Sequence, residues 1–213
     1  MSKGVLTMYD KSNKKFWDKF AKRYAAFMKK DKGVYDKVCG YISPYLNKEM
    51  NVLELACGSG QLSFRLSKHT KSWIGTDFSE QMILEARKRG EYENLTFEIA
   101  DATLLPFADE KFDCVVIASA LHIMPRPDQA MKEIYRVLKP NGTLLAPTFL
   151  WKEGKQRKLI KRLMSILGFK MYQEWNKEQF EDFIEAYGFS VVEMKFVYGG
   201  LAPIGVMIAR RSF

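Results

Sequence analysis

The sequence has few of the residues that bind metals or form disulfides. It contains three cysteines, which are far apart and form no CxxC pair, and only two histidines among its 213 residues. An odd number of separated cysteines does not make a disulfide framework, and no spacing typical of zinc ligands is present. We therefore predict no disulfide, no structural metal and a reducing, cytoplasmic environment.

Long apolar runs, internal repeats and low-complexity linkers are also missing. No apolar run approaches the roughly 18–20 residues that a membrane-spanning helix needs. The start of the sequence, MSKGVLTMYDKSNKK, has no apolar core followed by a small-residue cleavage site, which argues against a secretory signal. With 47% hydrophobic and 14% aromatic residues the composition is that of a globular protein, and one domain over residues 1–213 is the simplest prediction.

The positive charge is concentrated in two segments. The net charge is +9, and residues 1–50 carry twelve Lys/Arg against five Asp/Glu, while residues 152–170 carry seven against one. Such segments favour anionic partners, for example an acidic substrate, an anionic membrane surface or nucleic acid. Two solvated helix faces explain the same pattern equally well.

The order of the elements predicts an α/β doubly wound sheet. From Asn51 onward, apolar strand-like runs such as NVLELA, SWIGT and FDCVVIASA alternate with amphipathic helical runs, which indicates parallel strands joined by helical crossovers. After Asn176 a helical run precedes two β-rich runs, SVVEMKFVY and PIGVMIARR, with only GGLAP between them. This linker is too short for a crossover helix, so the two strands are predicted to pair as a C-terminal antiparallel hairpin.

Two segments outside this alternation carry apolar stripes at helical spacing. The second stripe lies between Leu159 and Leu167, and the first consists of Phe16, Trp17, Phe20, Tyr24, Phe27 and Met28. Such stripes usually pack into a core, and a lid over the carboxyl ends of the strands is the alternative. The predicted division of the chain is a helical lid at 1–48, a core at 49–150, a basic helical insertion at 151–175, and a helix with a hairpin at 176–213.

The stretch NVLELACGSGQLSFRLS, residues 51–67, places a glycine-rich turn between a strand and a helix. Glycines let a ligand approach the backbone, and the start of a helix offers free N–H groups. A dinucleotide-binding fingerprint G-x-G-x-x-G/A would need a smaller residue where Ser63 stands, which disfavours a nicotinamide-dependent oxidoreductase. Counted from Glu54, the segment is E-x-A-x-G-x-G, with Ala56, Gly58 and Gly60.

This segment resembles motif I of the class I S-adenosylmethionine (SAM) dependent methyltransferases, in which an acid is followed by G-x-G-x-G. Further similar elements follow in order over about residues 51–149: WIGTD, FEIADA, FDCVVIASALHIM and YRVLKPNGTLLAPTF. The resemblance implies a seven-stranded, mostly parallel sheet, SAM as the cofactor, and methyltransferase activity. The cofactor-binding residues that it implies are Tyr24, Glu54, Ala56, Gly58, Gly60, Asp77, Phe78, Met82, Asp101, Ala102 and Ser119.

The resemblance assigns two of the acids to the nucleoside. Asp77, at the end of the second strand, would accept both ribose hydroxyls, although it could instead cap the helix that begins at Ser79. Asp101 would accept from the adenine amino group, or serve only in a turn. Phe78 and Met82 would flank the adenine, and ordinary core packing is the alternative for both.

The acid of motif I and the residue that replaces its first glycine lead to two further expectations. Glu54 is flanked by apolar residues, and a buried carboxylate needs donors, which by resemblance are the turn backbone and the methionine end of SAM. Ala56 stands where the family has its first glycine. We expect the extra methyl group to be tolerated if the φ angle of Ala56 is negative.

The methyl acceptor is predicted to be a small molecule. No NPPY-like tetrapeptide and no Pro-Cys pair follows the fourth strand, and the sequence is similar to ubiquinone/menaquinone-type and phospholipid N-methyltransferases. The basic segments suit an acceptor held at an anionic membrane surface. His122, just beyond the fourth strand, is the predicted catalytic residue, either as a base or as an orienting group, and simple packing in the loop is the alternative. An RNA methyltransferase and a SAM-binding protein without activity remain open.

Overall fold

The computed structural model describes residues 8–28, 32–150, 170–198 and 203–212. The helices are α1 (Met8–Met28), α2 (Lys32–Ile42), α3 (Ser63–Leu66), α4 (Glu80–Arg87), α5 (Pro127–Val137) and α6 (Lys177–Glu185). The strands are β1 (Asn51–Leu55), β2 (Ser72–Asp77), β3 (Leu95–Ile99), β4 (Phe112–Ile117), β5 (Leu138–Phe149), β6 (Phe189–Val197) and β7 (Ile204–Arg211). Short 3₁₀ turns cover Ser43–Tyr45, Ser67–His69 and Leu121–Ile123.

The strands form a seven-stranded sheet in the order β3-β2-β1-β4-β5-β7-β6. Strands β1 to β5 pair in parallel, and β7 pairs antiparallel with both β5 and β6. The predicted doubly wound sheet with an antiparallel C-terminal pair is therefore confirmed. The strand order reverses direction between β1 and β4, and ligands bind in α/β sheets beside the carboxyl ends of strands at such a switch point.

Apolar side chains cover both faces of the sheet. Because successive residues of a strand point to opposite faces, β4 sends Val115 and Ile117 into one core cluster and Cys114 and Val116 into the other. All four side chains are at most 1% exposed. A parallel sheet buried on both faces holds its strand ends rigidly, and these ends carry the site described below.

Side-chain caps mark the start of two helices. The Ser79 hydroxyl accepts a hydrogen bond of 3.2 Å from the Met82 backbone N–H at the start of α4. At the start of α6, Asn176 and Gln179 form a reciprocal capping box. The cap at Ser79 matters for the site because it lies two residues beyond Asp77.

The junction between α5 and β5 is irregular. Helix α5 ends at Val137 and β5 already starts at Leu138, so the residues KPNG lie within the strand. Leu138 pairs with Phe112, and the register shifts before Cys114 pairs with Thr143. Asn141 has a φ angle of +61°, so the turn residues form an irregularity within the strand.

The described residues set limits on other expectations. The predicted helical stripe of the basic insertion lies outside them, and residues 170–175 form neither helix nor strand. Within them, no helix is long and apolar enough to cross a membrane, and no three His, Cys, Asp or Glu residues are placed to hold a metal ion. The three cysteines are free and buried.

Candidate active site

A cavity of about 120 Å³ lies beside the carboxyl ends of β1, β2 and β4, and α1 contributes part of its wall. Nine of the residues predicted to bind the cofactor line it: Tyr24, Ala56, Gly58, Asp77, Phe78, Met82, Asp101, Ala102 and Ser119. Glu54, Gly60 and His122 do not belong to the lining. The fold thus brings together residues that are up to 95 positions apart in the sequence, from Tyr24 to Ser119.

Ala56 has a φ angle of +51°, so the condition under which its extra methyl group was expected to be tolerated, a negative φ angle, is not met. A left-handed backbone brings the alanine Cβ close to the following carbonyl, so this conformation is strained by about 1–2 kcal/mol. The chain turns sharply here. Strand β1 ends at Leu55, and the backbone N–H of Cys57 donates a hydrogen bond of 2.9 Å to the Thr76 carbonyl. The tertiary structure holds the alanine in a conformation that suits glycine better.

Gly58 contributes the backbone of the glycine turn to the cavity wall. Its φ angle is +55°, and a Cβ atom at this position would lie 3.3 Å from the Tyr24 ring. The backbone N–H of Gly58 donates to Asp77 Oδ2 at 2.9 Å. The missing side chain therefore lets α1 approach the turn, and the N–H ties the turn to the end of β2.

The absence of a side chain at Gly60 has a different reason. A Cβ atom on this residue would lie 2.7 Å from the Phe64 side chain and 3.0 Å from that of Phe97. Its φ angle of +77° also favours glycine. Gly60 thus permits aromatic packing behind the turn, and Arg89 supports this region by donating to the Ser59 carbonyl at 2.8 Å while its guanidinium lies over the Phe64 ring.

Asp77 accepts hydrogen bonds through both carboxylate oxygens. Oδ1 accepts from the Ser79 N–H and Oδ2 from the Gly58 N–H, each at 2.9 Å. Burial raises the pKa of Asp77 to about 6, and these backbone donors act in the opposite direction by stabilising the charged form. Ser79 is the helix cap through its hydroxyl, so Asp77 supports the turn and still presents a carboxylate to the cavity.

Glu54 lies beneath the turn with donors other than those expected. It is 2% exposed, its Oε2 accepts from the Trp73 indole N–H at 2.9 Å, and the Ser63 hydroxyl donates to the same oxygen. Burial raises the pKa of Glu54 to about 7. Ser63, which breaks the dinucleotide fingerprint, is therefore the partner of this buried acid.

Asp101 forms a turn and also lines the cavity. Its Oδ1 accepts from the Thr103 backbone N–H at 2.8 Å and from the Thr103 hydroxyl at 2.7 Å. Arg126 Nη2 in turn donates to the Thr103 hydroxyl at 3.3 Å, and Arg126 and Thr103 both line the cavity. Sequence reasoning missed these two residues, although Arg126 stands directly before the Pro127 that begins α5.

His122 is a buried residue of the loop after β4, with 2% of its surface exposed. Its Nδ1 lies 3.2 Å from the Thr148 hydroxyl, and its ring packs edge-on against Phe149. Its carbonyl accepts from the N–H groups of Tyr172 and Gln173. Burial lowers the pKa of His122 to about 4. The ring is thus held in the loop, as in the packing alternative, and the neighbouring Ile123 and Met124 line the cavity in its place.

Helix α1 meets the site through a hydrogen bond to Ser79 and through two aromatic side chains that form part of the cavity wall. Asp18 Oδ1 accepts from the Ser79 hydroxyl at 2.6 Å. Trp17 and Tyr24 line the cavity, with ring centroids 5.9 Å apart. Burial raises the pKa of Tyr24 well above its usual value, and its hydrogen-bond partner Tyr35 raises it further. An isolated acid within a basic helix was the only sequence signal for Asp18.

The sequence matches the family described as "Methyltransferase domain" over residues 46–187. The demethylmenaquinone methyltransferase of Lactobacillus johnsonii is 43% identical over 92 residues, which are 40% of this chain and 38% of that protein. The ubiquinone/menaquinone biosynthesis C-methyltransferase UbiE of Rickettsia prowazekii is 30% identical over 180 residues, covering 69% of this chain and 71% of the relative.

Among solved structures, a methyltransferase in complex with the Haloferax volcanii activator Trm112 has a TM-score of 0.80 with 19% identity, covering 92% of this chain and 98% of that one. At this identity the likeness concerns the fold. The match to the first of these relatives spans 38% of that relative's length. The match therefore supports membership of the family and does not identify a substrate. The family match over most of the chain, together with the sheet and the cavity at its switch point, shows that this chain belongs to the class I SAM-dependent methyltransferases.

Proposed function

We propose that this protein transfers a methyl group from SAM to a carbon atom of a small, quinone-like acceptor. The observation that carries the proposal is the 30% identity over 180 residues to a ubiquinone/menaquinone C-methyltransferase, on a chain whose cavity is lined by nine of the residues expected to hold SAM. The name of this relative suggests the substrate class, and the lining of the cavity supports binding of the methyl donor there.

The chemistry of the cavity lining supports binding of an adenosine that carries an amino acid. Asp77 offers carboxylate oxygens that accept from two adjacent ribose hydroxyls, and Asp101 offers an acceptor for an adenine amino group. Phe78, Met82 and Ala102 supply apolar walls for a flat ring. The turn at Gly58 lets a ligand approach its backbone closely. Asp77 and Asp101 are both acids, which suits a ligand that carries a positive charge.

The chemistry that SAM would supply when bound is an electrophilic methyl group. The acceptor carbon would bond to this methyl group as the sulfonium–methyl bond breaks, which leaves S-adenosylhomocysteine, and the hydrogen of that carbon would then be lost as a proton. The protein's part is to align the two partners and to exclude water. Trp17 and Tyr24 close one side of the cavity, and Ile123 and Met124 supply an apolar loop on another. We propose that His122 holds this loop in place through Thr148 and Phe149, because its ring is neutral and buried.

The test is a methyl-transfer assay with radiolabelled SAM and three acceptors: reduced demethylmenaquinone in detergent, phosphatidylethanolamine vesicles, and transfer RNA. We expect label in the quinone product at more than about tenfold over the acceptor-free background. The variant Asp77→Ala should abolish the signal. Labelling of the phospholipid or the RNA instead would replace the proposed acceptor, and binding of SAM without transfer to any acceptor would contradict the proposed activity.

A further inference from the structure

The outer face of α1 is uniformly basic. Lys15, Lys19, Lys22 and Arg23 are exposed, and their spacing of i, i+4, i+7 and i+8 places them on one side of the helix. Ala26, the remaining described residue on this side, is exposed as well. None of the four cationic side chains forms an ion pair with another residue that the structure describes.

No acid interrupts this face between positions 14 and 28. The single acid in that stretch is Asp18, whose carboxylate accepts from Ser79 at the site. Among the residues that the structure describes, no acid forms an ion pair with this cationic face. A continuous cationic surface attracts an anionic partner.

The opposite side of the same helix is part of the cavity wall. Trp17 and Tyr24 line the cavity, and the Phe16 and Phe20 rings stack at 5.6 Å. One helix thus separates the cavity from the cationic surface. Whatever binds the outer face lies one helix diameter, about 10 Å, from the place where the reaction is proposed to occur.

We propose that the outer face of α1, formed by Lys15, Lys19, Lys22 and Arg23, docks the protein on an anionic lipid bilayer. This inference rests on the proposed function and deepens it, because it assigns the acceptor to the membrane-dissolved pool. A quinone-like molecule then enters the cavity beside α1 directly from the bilayer, without crossing water.

The composition of this face favours a bilayer over single-stranded RNA. Recognition of unpaired bases uses exposed aromatic side chains on which the bases stack. Among the side chains described between positions 15 and 26 of α1, the exposed ones are basic residues and Ala26, whereas Trp17 and Tyr24 pack against each other at the cavity. Binding to an anionic membrane needs only basic residues near the surface, each of which contributes about a fivefold gain in affinity.

The experiment measures sedimentation of the full chain with vesicles of phosphatidylcholine alone or with about 30% phosphatidylglycerol. The test variant combines K15Q, K19Q, K22Q and R23Q, since glutamine preserves helix propensity. A charge-matched control changes four exposed lysines on other surfaces, three of them beside a groove at the amino ends of β2 and β3: K48Q, K68Q, K71Q and K132Q.

We expect the wild type to bind phosphatidylglycerol vesicles at least about tenfold more tightly than neutral ones, with binding weakened by salt. The α1 variant should lose at least about tenfold of this affinity, and the control variant less than about threefold. Equal losses in both variants, or no preference for anionic vesicles, would overturn the proposal. Transfer RNA that binds through α1 and displaces the protein from vesicles would overturn it as well.

Two further measurements separate this proposal from the proposed function. Binding of S-adenosylhomocysteine should be unchanged in the α1 variant, because the four substituted residues are exposed and do not belong to the cavity lining. If the wild type binds anionic vesicles but transfers no methyl group to the quinone, the proposed function is contradicted and the proposed docking surface is still supported. If the wild type transfers the methyl group in detergent but does not bind anionic vesicles, only the proposed docking surface is contradicted.

Discussion

Individual residues at the cavity are held in conformations that their side chains disfavour. Two non-glycine residues of the lining, Ala56 and Ser119, both have φ angles of +51°. Backbone strain of this kind persists only where the surrounding structure enforces it, and it concentrates at binding sites. The sequence could not predict the angle of Ala56, because alanine adopts a negative φ angle in nearly every context and the constraint comes from distant residues.

Replacing Ala56 with glycine should raise the free energy of unfolding by about 0.5–1 kcal/mol, because the Cβ strain is removed at the cost of a more flexible unfolded chain. Chemical denaturation of the free protein measures the change. The control is Ala120→Gly, at a buried alanine of the cavity lining whose φ angle is −118°. It should be destabilising, and the same sign for both substitutions would contradict strain at Ala56.

The ionisation of Asp77 should make donor binding depend on pH. Its pKa of about 6 in the free protein means that the carboxylate is ionised at pH 7.5 and increasingly protonated below pH 6. Because only the ionised form accepts from both ribose hydroxyls, the affinity for SAM should fall as the pH is lowered from about 7.5 to about 5.5. Titration calorimetry at several pH values measures this.

Asp77→Asn should weaken SAM binding by about 10- to 100-fold and flatten its pH dependence, because the substitution removes a charged acceptor. Asp109→Asn changes an exposed acid outside the cavity lining and serves as the control. An unaltered pH profile in Asp77→Asn would assign the titration to another group. The raised pKa of Asp77 also affects the stability of the free protein. As the pH rises, Asp77 ionises in the unfolded chain at a lower pH than in the folded protein. The free energy of unfolding therefore falls as the pH rises through about 4 to 6.

At the level of secondary-structure elements, the sequence predicted the helices and strands better than the contacts between them. The alternation of apolar runs indicated the strands, and the family resemblance indicated which strand ends carry Asp77 and Asp101. The donors to Glu54 come from α3 and β2, which no local pattern connects. The burial of His122 likewise depends on Thr148 and Phe149, which a later strand supplies.

The attachment of α1 through Asp18 predicts a change in proteolysis. Asp18→Ala removes the acceptor of the Ser79 hydroxyl, so trypsin should cleave within residues 10–30 at least about threefold faster than in the wild type, as expected for the loss of about 1 kcal/mol. Saturating S-adenosylhomocysteine should slow cleavage in the wild type.

The control for this experiment is Asp36→Ala, which removes an exposed acid of α2 that pairs with Arg65. Cleavage in this variant should stay at the wild-type rate. If cleavage in the wild type is indifferent to S-adenosylhomocysteine, α1 does not act as a lid over the bound donor, and Trp17 and Tyr24 are then only structural walls.

At the scale of the whole molecule, the doubly wound sheet follows from patterns that the sequence repeats many times. Each strand and each crossover gives its own signal, so an error in one leaves the prediction of the fold intact. The cavity has no such redundancy. Its shape depends on single side chains from distant elements, including Trp17 and Arg126, and no pattern in the sequence indicates how these side chains meet.

Ligand binding to the folded state should raise the melting temperature of the whole domain. With S-adenosylhomocysteine at about 100 times its dissociation constant, the stabilisation is about 2.7 kcal/mol, which corresponds to an increase of about 5–10 °C for a chain of this size. Scanning fluorimetry measures the shift, and NAD at the same concentration is the control. A shift with NAD and none with S-adenosylhomocysteine would remove the basis of the proposed activity.

The position of β7 has a consequence for how the protein is made. It lies between β5 and β6 in the sheet, although both are earlier in the chain. As the ribosome releases the polypeptide, β5 and β6 emerge with their mutual neighbour still missing, and each leaves a row of backbone groups exposed. The nascent chain therefore cannot complete its sheet before β7 emerges. Until then the unpaired edges of β5 and β6 are the sites at which the nascent chain aggregates most readily.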